Sequence, residues 1–215
     1  MPPRSKPIRA WLITCHAPIL PQYGSIAPED MIIAVDQGLE IIHLVRLRPT
    51  LIIGDLDSLS ELSLLNEYGD VPLVKFSPDK NETDSELAMN WAISHGATEI
   101  IICNDMEGRI DHAIGLIPLL DFAKRQGVDC RIETGTQILR MLEDIDDLDY
   151  PEGTLISLLP LSEEAEFSSS VGLQYSLDGL VLKGRQTRGI SNRLSASPAR
   201  ILKSRGDVLA VITIL

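Results

Sequence analysis

Aromatic residues are scarce in this chain, at 4% of 215 positions, and only two of them are tryptophans, Trp11 and Trp91. Neither has a sequence context that marks it as a platform for a ligand's ring. Cysteine is scarcer still. Cys15, Cys103 and Cys130 are odd in number, far apart and set in or beside short apolar runs, which excludes a disulfide framework and the tight spacing of a zinc site. They read as reduced, mostly buried thiols of a cytoplasmic protein. Long apolar runs are also missing, since none approaches the roughly 20 residues that a membrane-spanning helix needs. The start of the chain superficially mimics a secretory signal, with Arg4, Lys6 and Arg9 around an apolar patch, but the best core covers only residues 10–15 and His16, Pro18 and Pro21 break it. It reads as a first strand. Positive charge is short as well: 19 Lys and Arg against 31 Asp and Glu leave a formal charge of −12. Such a chain repels a nucleic-acid backbone or an anionic membrane before contact forms. A cation, or a metal carrying a polyanion, suits it better.

What is present is enough apolar residue, 44%, for one large or two small domains that need no covalent staple. From residue 9 to about 135 short β-branched runs alternate with longer segments of helical spacing. Strands are expected over 10–15, 31–36, 50–55, 71–76, 99–104 and 129–134, and helices over 37–47, 60–68, 83–95 and 109–126. Continuously apolar strands such as Leu51-Ile52-Ile53 and Ile100-Ile101-Ile102 are expected where helices cover both faces of a parallel sheet. The fold class is therefore α/β over 1–142, a mostly parallel, Rossmann-like sheet with flanking helices. Thr83 and Glu86 have the spacing of a capping box, and Leu87, Ala88 and Trp91 follow on one helix face, with Trp91 read as core. An acidic segment over 143–152 reads as a solvated linker or loop. After it, short runs over 154–159, 173–177, 180–183, 199–204 and 208–215, separated by Gly172, Gly179, Gly184 and Gly206, predict a smaller antiparallel β-sandwich over 143–215.

The chemistry gathers where strands end in acids. The first such run ends in Asp36, the next in Gly54-Asp55-Leu56-Asp57-Ser58, another feeds Pro78 to Asp84, and the fourth feeds Asn104 to His112. If the strands are parallel, all four clusters meet at one edge, where open α/β sheets bind ligands. Asp55 and Asp57 sit two apart on an extended tip and can share a hard cation, with Asp84 joining from a neighbouring loop; carboxylate oxygens suit Mg²⁺. Gly54 suits a tight turn near a ligand. Lys80 and Arg109 then fall to phosphate oxygens, Arg109 as a two-pronged donor. Each residue also has a structural reading. Asp36 can cap the helix that follows it, Thr83 and Asp84 can cap and favour theirs, Arg109 can form a surface ion pair, and His112 can be an ordinary helix residue. His16, His43 and His95 have no partner in sequence and read as structural.

Four motifs in order, Gly54-Asp55-Leu56-Asp57-Ser58, Pro78-Asp79-Lys80 with Thr83-Asp84, Gly108-Arg109-Ile110-Asp111-His112 and Gly189-Ile190-Ser191-Asn192, resemble the thiamine pyrophosphokinase family over residues 31–215. The resemblance implies an enzyme that moves diphosphate from ATP to the hydroxyl of thiamine and releases AMP, using Mg²⁺. It implies metal and catalytic roles for Asp55, Asp57 and Asp84, with Arg109 and Asp111 near the transferring group. It further implies ATP phosphate contacts from Lys80, Thr83, Arg109 and His112, a thiamine side at Ser191 and Asn192, and a homodimer with active sites at the interface. The chain departs from the family pattern at Gln37, Asn104, Glu107 and Leu116. Those departures keep two other readings open: a diphosphokinase for a different alcohol, and a catalytically silent nucleotide- or thiamine-binding protein.

Overall fold

The computed structural model describes residues 7–20, 23, 26–57, 59–60, 62–76 and 81–214, and divides into two units, Met1–Gly135 and Thr136–Leu215. The division precedes the expected 142/143 limit, so that one strand, 137–141, goes with the second unit.

The first unit is built on strands β1 (Arg9–Ile13), β2 (Met31–Val35), β3 (Leu51–Gly54), β4 (Leu73–Lys75), β5 (Glu99–Cys103) and β6 (Asp129–Glu133). They lie in the order β6-β5-β1-β2-β3-β4, every pairing parallel. Helices α1 (Gly38–Leu44), α2 (Leu64–Glu67), α3 (Asp84–Ser94) and α4 (Ile110–Arg125) form the crossovers after β2, β3, β4 and β5. One face of the sheet gives Trp11, Ile13, Ala34, Ile52 and Cys103 to a core shared with Leu39 and Ile42 of α1. The alternate residues, Leu12, Ile33, Ile53, Ile100 and Ile102, are equally buried. Burial of both faces is what makes these strands continuously apolar in sequence. Trp91 is only half-buried and stacks on His95 with ring centroids 3.8 Å apart, because its position lies at the edge of the buried stripe formed by Ala88, Met89 and Ala92.

The second unit holds β7 (Gln137–Met141), β8 (Ile145–Leu148), β9 (Leu155–Pro160), β10 (Glu164–Val171), β11 (Val181–Lys183), β12 (Asn192–Arg193), β13 (Ala199–Arg205) and β14 (Val208–Thr213). Two antiparallel runs, β12-β9-β14-β7 and β11-β10-β13-β8, close over one core that includes Leu148, Ile156, Phe167, Ile201 and Ile212. The acidic 143–152 segment is not a linker: it contains β8, whose inner positions are Asp146 and Leu148. Residues 173–177 form no strand beyond a bridge of Leu173 to Leu194. Among the described residues no helix is long and apolar enough to cross a membrane.

Candidate active site

The chain lays β2, β3 and β4 successively to one side of β1, then returns to lay β5 on the other side. The connections leaving the carboxyl ends of β1 and β5 therefore diverge, and a crevice opens between them. A cleft of about 630 Å³ occupies that place, lined by Thr14, Cys15 and His16 after β1, by Asp36 and Gln37 after β2, and by the segment from Asn104 to Leu116 after β5.

The acids are brought together by backbone conformations that few side chains tolerate. Asp36 (φ 48°) and Leu56 (φ 60°) are left-handed, and Gly54 has φ 147°. A Cβ on Gly54 would lie 1.7 Å from Asp36 Oδ1, so the glycine is the space in which the Asp36 carboxyl sits. The amide of Leu56 donates to the same oxygen over 3.4 Å. Burial, followed by the charge of Asp84 and a hydrogen bond with it, pushes Asp36 up to about 7. Asp57, fully exposed, is also raised, first by a hydrogen bond with Asp55 and then by the charges of Asp55 and Asp84. Asp55 additionally accepts the amide of Asp57 over 3.2 Å. Asp55, Asp57 and Asp84 thus stand within electrostatic reach of one another, and Asp36 is the fourth member. As a helix cap Asp36 fails: α1 begins at Gly38 with no side-chain cap bond, because the Asp36 carboxyl turns towards Leu56 and Asp84. Its signal in sequence was its position, an acid directly at the end of an apolar strand like Asp55 on the next one.

Two carboxyl pairs, Asp36 with Asp84 and Asp55 with Asp57, crowd together enough to raise one member of each, and such a donor set suits a hard divalent cation, which removes the same repulsion. Among the described residues no group of three or more His, Cys, Asp or Glu side chains is arranged to hold a metal ion by itself. Mg²⁺ does not require such a cage, because it keeps waters and takes one or two carboxylates together with substrate phosphates.

Across the cleft, Arg109 precedes the first turn of α4 and grips Asp111 with two bonds, Nε to Oδ1 at 3.2 Å and Nη2 to Oδ2 at 2.6 Å. That fork holds Asp111 down at about 2. His112 lines the same cleft. Thr83 both lines the cleft and caps α3, its hydroxyl accepting the amide of Glu86 over 3.2 Å. Lys80, with Ser58, Pro78 and Asp79, lies outside the described residues. Asn104 is buried and structural: its Nδ2 donates to Thr14 Oγ1 over 2.8 Å, that hydroxyl donates to the Cys103 carbonyl over 2.8 Å, and Asn104 Oδ1 accepts the Met106 amide over 2.7 Å. Gln37, Glu107 and Leu116 line the cleft together with Asn104, so all four departures from the family pattern bear directly on its shape. His16, read from sequence as structural, lines it too.

Ser191 and Asn192 belong to the second unit. Gly189 is pressed onto β9, where a Cβ would lie 2.1 Å from the Leu158 carbonyl oxygen, and that strand also fixes Ser191, whose amide donates to Ser157 Oγ over 3.0 Å. Asn192 is buried, with both ends of its amide engaged on one neighbour: Nδ2 donates to the Tyr175 carbonyl over 2.7 Å and Oδ1 accepts the Tyr175 amide over 3.0 Å. It therefore anchors the Tyr175 backbone at the wall of a second cavity, of about 550 Å³, that also includes Arg188 and Ile190.

A family model for the catalytic domain of thiamin pyrophosphokinase matches residues 25–132. The chain is 26% identical over 182 residues to the thiamine pyrophosphokinase of Bacillus subtilis, across 83% of this chain and 85% of that one. Its fold resembles the crystal structure of the Bacillus subtilis protein with a TM-score of 0.85 at 23% identity, covering 95% of this chain and 99% of that one. It also resembles thiamin pyrophosphokinase from Candida albicans with a TM-score of 0.82 at 18% identity, over 97% and 90% of the two chains. With its catalytic-domain model matched over half the sequence, the chain belongs to the thiamin pyrophosphokinase family.

Proposed function

We propose that this enzyme transfers a diphosphate group from ATP to the hydroxyl of thiamine, giving thiamine diphosphate and AMP, with Mg²⁺ as cofactor. The observation that carries the reading is the gathering of Asp55 and Asp57 within electrostatic reach of Asp36 and Asp84, two acids that line the same cleft as Arg109 and Asp111.

The thiamine oxygen attacks the β-phosphorus of ATP, the bond from that phosphorus to the oxygen bridging it to the α-phosphorus breaks, and AMP leaves with the bridging oxygen. Such transfers depend on alignment and charge neutralisation more than on covalent help from the protein. Asp55, Asp57 and Asp84, with Asp36 beside them, would hold Mg²⁺, which would supply neutralisation of the phosphate oxygens. Arg109, with Thr83, His112 and Lys80, binds those oxygens. Asp111 is a poor base while Arg109 grips it, since that hold keeps it near 2. Engagement of Arg109 by phosphate releases Asp111 to orient the thiamine hydroxyl and accept its proton. Ser191 and Asn192 serve the thiamine side, Asn192 through the backbone of Tyr175. The enzyme works as a cytoplasmic homodimer with active sites at the subunit interface, and its three free thiols suit a reducing compartment.

Incubation with ATP, Mg²⁺ and thiamine should yield AMP and thiamine diphosphate in equal amounts, and Asp55→Asn should abolish both while leaving the melting temperature close to that of the wild type. AMP formed only with another alcohol would replace thiamine as the acceptor, and binding without turnover would make the protein a sensor.

A further inference from the structure

We propose that His16 is a positioning residue for Arg109, acting through Gly108; the role of Arg109 in holding ATP phosphates rests on the function proposed above. The segment from Asn104 to Arg109 leaves the sheet at β5 and reaches α4 without regular structure. Its own side chains bond within it, Asn104 to the Met106 amide and Asp105 to the Glu107 amide. It is tied to the rest of the unit at its base by Asn104 and Thr14. In its middle the tie is His16. The carbonyl of His16 accepts the Asp105 amide over 2.7 Å, and its ring lies over Gly108, where a Cβ would come within 2.5 Å of Nε2 and 2.8 Å of Cε1. Gly108 has φ 75°, a conformation a glycine leaves at little cost when nothing holds it. The ring is what holds it, and the next residue is Arg109. The Arg109 side chain is exposed and meets Asp111 through its own fork, and its carbonyl accepts the His112 and Ala113 amides of α4 over 3.1 Å each, so Gly108 is the backbone joint between the loop that His16 ties and Arg109. Three adjacent ring atoms, Nε2, Cε1 and Cδ2, face Gly108, so the contact is one that a ring of the same shape can reproduce.

His16→Ala and His16→Phe separate the possibilities. The alanine variant should lose about tenfold in kcat/KM for ATP, as when a supporting neighbour of a binding group is removed, while KM for thiamine stays within about twofold. The phenylalanine variant should recover most of the loss. In an Arg109→Ala background His16→Ala should add nothing, because its effect passes through that arginine. Amide exchange over 105–109 should be faster in His16→Ala and near wild type in His16→Phe, a readout that stands whether or not the wild type makes thiamine diphosphate. Unchanged ATP kinetics and unchanged exchange in His16→Ala would overturn the proposal. So would a phenylalanine variant as impaired as the alanine one, or a loss that persists undiminished in the Arg109→Ala background.

Discussion

Gly54 occupies the one place where the Asp36 carboxyl can sit, so Gly54→Ala forces its Cβ to within 1.7 Å of Asp36 Oδ1 unless the acid moves. The expected result is a loss of about 10–100-fold in turnover or Mg²⁺ affinity, the range seen when a support of a metal ligand is lost, and Mg²⁺ titration of the rate measures it. Asp36 itself gives a pH prediction. Its carboxyl titrates near 3.8 in the unfolded chain and at about 7 in the fold. Between those values the folded state binds the proton more tightly, so stability is present at low pH and is lost as pH rises through that window. Metal-free protein should therefore melt at a lower temperature at pH 8 than at pH 5.5 by a margin that Asp36→Asn reduces, and Mg²⁺ should raise the melting temperature at pH 8 in the wild type more than in the variant. Equal slopes in the two metal-free proteins would remove Asp36 from this account. In the sequence Gly54 was readable as a close approach and Asp55, Asp57 and Asp84 as a shared charge. The role of Asp36 was not, because it depends on Asp84, which only the sheet order brings beside it.

At the level of elements the same contrast runs between the two units. Strands β1, β2, β3 and β5 are buried on both faces and apolar almost throughout, which made them visible; β4 and β6 carry polar residues and were legible from shorter apolar runs, and Thr83 marked the start of α3. Thr83→Ala should cost about 1 kcal/mol in chemical denaturation, the typical value of an N-cap side chain. In the second unit the runs expected over 154–159, 180–183, 199–204 and 208–215 match β9, β11, β13 and β14, while β8 and β10 are hidden by their polar residues. In β8 the inner sites are Asp146 and Leu148 while Ile145 faces out, and an acidic string with that pattern looks solvated. Asp146 is tolerated inside because Arg140 of β7 grips it with two bonds of 2.7 and 2.6 Å and the Glu143 amide adds a third at 2.9 Å. Asp146→Ala leaves the largely buried Arg140 charge without its carboxylate, with Tyr150 and the Met141 carbonyl beside it, and should cost about 3 kcal/mol. Replacing both, with Arg140→Met and Asp146→Leu, should cost much less than Asp146→Ala alone, and a urea series on the three proteins tests the order. β10 is hidden for a related reason: Ala165 and Phe167 alone face the core, and three serines precede its last residue, Val171.

For the whole molecule, the proposed homodimer with shared active sites makes a prediction that no single substitution tests. Asp55 stands in the first unit and Asn192 in the second, and Asn192→Ala frees the Tyr175 backbone that its amide holds. Asp55→Asn and Asn192→Ala should each be inactive or nearly so as homodimers while still melting cooperatively. Co-expressed with different affinity tags and purified through both, they form a mixed dimer of twofold architecture. If each site takes its acids from one protomer and its thiamine side from the partner, one site of that dimer carries both lesions and the other carries neither. The mixed dimer should then turn over at about half the wild-type rate, since one of two symmetric sites is intact. If each site is assembled within a single chain, both sites carry one lesion and the mixed dimer stays as inactive as its parents. Failure to recover any doubly tagged species would show that the chain does not pair at all, and the acids would then have to work with a thiamine side from their own protomer.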